Sequence, residues 1–98
     1  MEDKKIAVLF EIPGGTQEQY DASTKKLKEA GVVTVKGLLY HIAGPTENGW
    51  CVVEVWKSQE DMDAYSRDHI GKVLQEVGVP KPEMHQFSVY NITVGGEI

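Results

Sequence analysis

The sequence predicts an α+β fold with its elements in the order βαββαβ, and three observations predict it. Four runs rich in β-branched and aromatic residues have strand length. Two stretches with helical spacing open on hydroxyl residues. Clusters of Gly, Pro and Asn punctuate the chain between them. A length of 98 residues allows one domain, residues 1–98, with one core. That excludes a dinucleotide-binding half joined to a second domain, a (β/α)8 barrel or a kinase.

Each element has its own warrant. Lys5 to Ile12 is an apolar run stopped by Pro13-Gly14-Gly15, as a strand and its breaker would be. Thr16-Gln17-Glu18-Gln19 has the capping-box spacing, a hydroxyl followed three residues on by an amide. It opens a helix with Tyr20, Ser23, Thr24, Leu27 and Ala30 on one stripe, ended by Gly31. Val35 to Ala43 is the second strand. Gly44 to Gly49 is rich in turn residues, and Asn48-Gly49 is a hairpin signal. Trp50 to Trp56 is the third strand. Ser58 caps a second helix whose inward stripe is Met62, Tyr65, His69 and Val73, with a break expected near residues 69–71 because of Gly71. Gly78, Pro80 and Pro82 end it. Met84 to Val94 is the last strand, and Gly95 to Ile98 is a frayed tail.

This order is the split βαβ, ferredoxin-like plan: a four-stranded antiparallel sheet with helices on one face. A sheet with one wet face should alternate apolar and polar residues. Here it does not. In the first strand Ile6, Val8, Phe10 and Ile12 oppose Ala7 and Leu9, and in the third Trp50, Val52 and Trp56 oppose Cys51, Val53 and Val55. Two helices cover one face only. The simplest cover for the other is the same face of a second copy, which makes the expected unit a homodimer.

Composition narrows the function classes. Charged residues make up 26% and the net charge is −5. The one basic cluster, Lys25, Lys26 and Lys28, lies among Asp21 and Glu29 on a helix face, so no nucleic acid and no membrane is expected as a partner. No apolar run has the length of a membrane span, and Met1-Glu2-Asp3-Lys4-Lys5 does not resemble a secretory signal, so a cytoplasmic location is expected. Cys51 stands alone in a β-branched run and reads as a buried small hydrophobe. The three histidines have no metal-ligand spacing, and no metal or tightly held cofactor is expected.

The segment Trp50-Cys-Val-Val-Glu-Val-Trp-Lys-Ser-Gln-Glu-Asp-Met-Asp-Ala-Tyr65, with the size and the two-sided sheet, resembles the dimeric α+β barrel superfamily. The antibiotic-biosynthesis-monooxygenase-like (ABM) branch fits best. There a strand ending in Trp-x-Ser runs into a helix that opens with acids and an aromatic. Gly44 to Trp50 and Glu11 to Thr16 are similar to small uncharacterised bacterial members. The resemblance covers essentially the whole chain. It implies a homodimer packed sheet to sheet, with a pocket in each subunit between sheet and helices. Such members include cofactor-free oxygenases, haem-degrading oxygenases, cyclases and isomerases, so the fold does not select a function. The haem-degrading pattern is not met. Its Trp and His positions are Tyr65 and Gln75 here, and the first strand has no Asn.

Four residues are candidates for chemistry. His69, on the inward stripe, could serve as a general base near neutral pH, or be a histidine bonded to a nearby carbonyl. His41 faces either the helix side or the dimer interface, and strand parity does not decide which. Glu54 is a carboxylate in an apolar strand and should be edge-exposed, bonded or functional. A register that sets Glu54 and His41 on one face would make them an acid–base couple. Tyr65 could donate a hydrogen bond. Tyr20, Trp50, Trp56, Phe10 and Met62 would form the wall of a flat apolar pocket, or simply be core. Two functions are therefore expected in competition. One is a small-molecule enzyme using proton transfer on a flat apolar or aromatic compound, for oxygenation, cyclisation or isomerisation. The other is a non-catalytic ligand-binding or assembly dimer whose pocket its own aromatics fill.

Overall fold

The computed structural model describes residues 4–96. Elements follow in the order β1 (Ile6–Pro13), α1 (Gln17–Glu29), β2 (Leu38–Thr46), β3 (Gly49–Trp56), α2 (Gln59–Tyr65), a π-helical turn (Ser66–Ile70), α3 (Gly71–Val77) and β4 (Glu83–Ser88). The strands form one antiparallel sheet in the order β2-β3-β1-β4. That is the ferredoxin-like α+β arrangement. No helix among the described residues is long and apolar enough to cross a membrane.

Local chemistry fixes the element ends. The Thr16 hydroxyl accepts from the Gln19 amide at 3.1 Å, and the Gln19 side chain accepts from the Thr16 amide at 3.1 Å, closing the capping box. Ser58 caps α2 by accepting from the Asp61 amide at 3.2 Å. Gly78, at φ 82°, ends α3 in the left-handed region, where a side chain would be strained. The β2–β3 hairpin is tighter than its turn-rich sequence predicts. Strand β2 runs on through Gly44 and Pro45 to Thr46, leaving only Glu47 and Asn48 as the turn. Pro45 is tolerated because β2 is an edge strand.

Two predicted strand limits are corrected. The second strand starts at Leu38 rather than Val35, because Gly37 turns the backbone at φ 83° and a bulge follows between Leu38 and Tyr40. The last strand ends at Ser88 rather than Val94. Its partner β1 begins at Ile6 opposite Ser88, and a bond from the Val89 amide to the Lys5 carbonyl closes the ladder. The predicted tail, residues 95–98, falls partly outside the described residues, as does the start of the N-terminal segment.

The core lies between the sheet and the helices. Val8, Trp56 and Met62 pack with Phe10, Val35, Leu38 and Tyr65, while Ile12, Trp50 and Val52 pack with Tyr20, Ala43 and Val79. The opposite face carries Tyr40, Ile42, Val53 and Phe87, all exposed, beside Leu9 and Val55. The sheet is thus apolar on both sides, and the helices cover one of them.

Candidate functional site

Register decides the site. His41 lies directly opposite Glu54 in the β2–β3 ladder, and both face the helices. The His41 Nδ1 and the Glu54 Oε2 are 2.8 Å apart. Glu54 Oε1 accepts from the indole Nε1–H of Trp56 at 3.0 Å. On the other side, His41 Nε2 and the Tyr20 hydroxyl are 2.7 Å apart. A carboxylate only accepts, so Nδ1 carries the hydrogen of neutral His41 and Nε2 is left to accept from Tyr20. The result is a continuous chain from Tyr20 of α1, through His41 of β2, to Glu54 and Trp56 of β3. The Glu54 side chain is 10% exposed and the His41 side chain 34%, so the carboxylate is enclosed and the imidazole reaches the rim.

The four groups border a cavity of about 250 Å³ between sheet and helices. Phe10, Trp50, Met62 and Tyr65 line it as well, so eight of the nine predicted site residues meet there. Its wall is mainly aromatic and aliphatic. The Tyr20 ring lies 5.3 Å from Trp50, and Tyr65 lies 5.6 Å from Trp56. Both tyrosines hold their protons more tightly than usual. Burial, then the nearby Glu54 charge, raises Tyr20 and pushes Tyr65 up to about 12. Tyr65 is therefore a hydrogen-bond donor throughout the neutral range. Among the described residues, its hydroxyl has no hydrogen-bond partner, and the buried Trp50 Nε1 has none either.

His69 is the exception, and its predicted orientation is corrected. It is exposed and borders a separate depression with Lys36, Asp61 and Asp68, its ring 6.1 Å from Tyr65. The π-helical turn is the reason. One extra residue in the turn carries the inward stripe from Tyr65 to Ser66, Ile70 and Gly71, instead of to His69. Polar groups also line the cavity that the sequence did not single out as site residues, although it placed Ser23 and Thr24 on the stripe with Tyr20. Gln19, Ser23 and Thr24 lie on the inward stripe of α1, with the Ser23 hydroxyl donating to the Gln19 carbonyl at 2.8 Å and Thr24 to the Tyr20 carbonyl at 3.1 Å. The Trp56–Glu54 bond had a visible signal, since residues two apart on a strand share a face. Glu11, Glu83 and His85 gather on the opposite sheet face with donor atoms within 4.8 Å, but all three are exposed and lie away from the cavity.

Several solved structures share this architecture. A protein described as a candidate antibiotic biosynthesis monooxygenase from Chloroflexus aurantiacus matches with a TM-score of 0.63 at 19% identity, over 93% of this chain and 99% of its own. A dimeric ferredoxin-like protein of unknown function from Thermobifida fusca matches at 0.63 and 15% identity, over 89% and 92%. The chain has the fold of the dimeric ferredoxin-like proteins. SnoaB, a cofactor-independent oxygenase from Streptomyces nogalater, shares it at a TM-score of 0.61 and 12% identity, over 97% and 99%. No protein-family model and no curated protein matches the chain. At these identities the likeness establishes the fold and not the chemistry.

Proposed function

We propose that this protein is a small-molecule enzyme of ABM-like type. It would act by proton transfer on a flat apolar or aromatic compound without a tightly held cofactor. The observation that carries this reading is the Tyr20–His41–Glu54–Trp56 chain on the wall of an apolar cavity. Glu54 fixes the His41 tautomer and stabilises the imidazolium that forms when Nε2 takes a proton. Because Nε2 is held by the Tyr20 hydroxyl, a substrate proton passes through that oxygen. Tyr20 gives its hydrogen to Nε2 as it takes the substrate's, and ends neutral. The charge left on the substrate is met by the Tyr65 hydroxyl, which keeps its hydrogen. The carbanion or enolate so formed can add dioxygen, close a ring or be reprotonated elsewhere, giving oxygenation, cyclisation or isomerisation. His69 enters no step.

The open space of the cavity supports this reading over an assembly protein whose pocket its own aromatics fill. The covered face in this reading is the apolar sheet surface, with the working unit a homodimer. The test is turnover of a panel of phenolic and quinol compounds in air-saturated buffer, with His41→Ala and Tyr20→Phe beside wild type. General-base loss lowers kcat by roughly 10²–10⁴-fold. Turnover that survives His41→Ala unchanged removes the couple from the mechanism.

A further inference from the structure

The open face of the sheet holds a second group of chemically active side chains, apart from the cavity. Glu11 of β1 stands directly opposite Glu83 of β4, and His85 lies two residues along β4 on the same face. One donor atom from each comes within 4.8 Å of the other two. Two carboxylates set opposite one another across a ladder repel. Among the described residues neither forms an ion pair with Lys or Arg. His85 turns its Nε2 toward Glu11 Oε2 at 3.9 Å, too far for a hydrogen bond. The gap is near the spacing of two ligands on one ion. Bonds of about 2.0–2.1 Å at a tetrahedral angle set the ligand atoms about 3.4 Å apart.

We propose that Glu11, Glu83 and His85 bind one divalent transition-metal ion, of which zinc fits best. The imidazole sets the class. Two carboxylates alone would suit magnesium or calcium, whereas an imidazole nitrogen favours zinc and its neighbours in the first transition row. The charges balance, because the ion's two positive charges offset the two carboxylates. Antiparallel pairing fixes the three backbone positions, so only exposed side chains need to close in, by about 1 Å. Three protein ligands leave a coordination position open at the β4 edge of the sheet. Sequence spacing does not report such a site, because Glu11 and His85 come from opposite ends of the chain and meet only through the β1–β4 register. The inference is independent of what the cavity does.

Calorimetric titration of the full chain with Zn²⁺ at neutral pH, after treatment with a chelator, tests this. The expected result is one ion per chain at a Kd of about 10 μM or tighter, with Mg²⁺ at least about tenfold weaker. Zinc is also expected to raise the melting temperature, because the unfolded chain does not assemble the three ligands. His85→Ala and Glu11→Gln each change an exposed side chain and are expected to keep the circular dichroism of wild type. Each should weaken zinc binding at least about tenfold, and His69→Ala should leave it unchanged. Zinc affinity that survives His85→Ala overturns the site, since the ion then sits elsewhere. Mg²⁺ binding as tightly as Zn²⁺ overturns the role of the imidazole and leaves an acidic pair only. Absence of zinc binding at about 100 μM overturns the proposal outright.

Discussion

Glu54 has two oxygens and both are committed, which makes its amide analogue informative. In Glu54→Gln one oxygen becomes an NH2 group. If the amide oxygen stays on the Trp56 indole, the NH2 donates to His41 Nδ1 and forces the imidazole hydrogen to Nε2. The expected outcome is a switch of neutral His41 from the Nδ1–H to the Nε2–H tautomer, read by long-range ¹⁵N–¹H correlation of the ring. An unchanged tautomer would sink the assignment of the network. Tyr65 gives a prediction in alkali. Its folded value is raised to about 12 from the ordinary 10.0, so the unfolded chain ionises first. Its contribution to stability is complete below about pH 10 and is lost as the pH rises through about 12. Tyr65→Phe should flatten the alkaline decline seen in urea unfolding across that window, leaving the smaller Tyr20 part. Sequence reading reached the His41–Glu54 pair only as a condition on register. The register depended on Gly37 and on the bulge at Leu38 to Tyr40, which periodicity does not report.

The second helical stretch shows what a single irregular turn does to a site. Gly71 donates to the Ser66 carbonyl, the i to i−5 bond of a π-turn, and a Cβ at residue 71 would sit 2.6 Å from that oxygen. In an ordinary helix, Gly→Ala stabilises by about 1 kcal/mol. Here Gly71→Ala should do the reverse and destabilise by about 1 kcal/mol, a fall in melting temperature of roughly 4–8 °C for a domain of this size. Thermal unfolding checks the sign, and a stabilised variant would mean the turn reverts to α-helix without loss. The expected break at residues 69–71 was thus read from Gly71, but its consequence for His69 was not. A 3.6-residue period places His69 beside Tyr65 and Val73, and only the extra residue of the turn moves it outside. Caps were legible because their chemistry is local, and so was the existence of a hairpin, although its turn is Glu47-Asn48 with Gly49 already in β3 rather than an Asn48-Gly49 turn. The end of β4 was not, because it is set by where β1 begins, some eighty residues earlier in the chain.

At the scale of the whole molecule, the open sheet face and the cavity are built from the same strands. Along β2, His41 alternates with Tyr40 and Ile42; along β3, Glu54 alternates with Val53 and Val55. One parity carries the hydrogen-bonded chain, and the other carries an apolar surface on which Ile42 is 66% and Phe87 64% exposed. A patch of that kind is unfavourable in water and is covered most simply by its own copy through a two-fold contact. The expected solution mass is therefore twice the 10.9 kDa of one chain, checked by sedimentation or light scattering across micromolar concentrations. Ile42→Glu should yield a folded monomer, because a contact through this face would bury an unpaired carboxylate from each copy. Because β2 is an edge strand, β3 is its one partner within the sheet, and a contact across its apolar face would hold it further. The same substitution should therefore lower turnover of the phenolic and quinol panel although Ile42 points away from the cavity. A wild-type monomer at these concentrations would overturn the dimer. A monomeric Ile42→Glu with undiminished turnover of that panel would show that the cavity is complete within one chain.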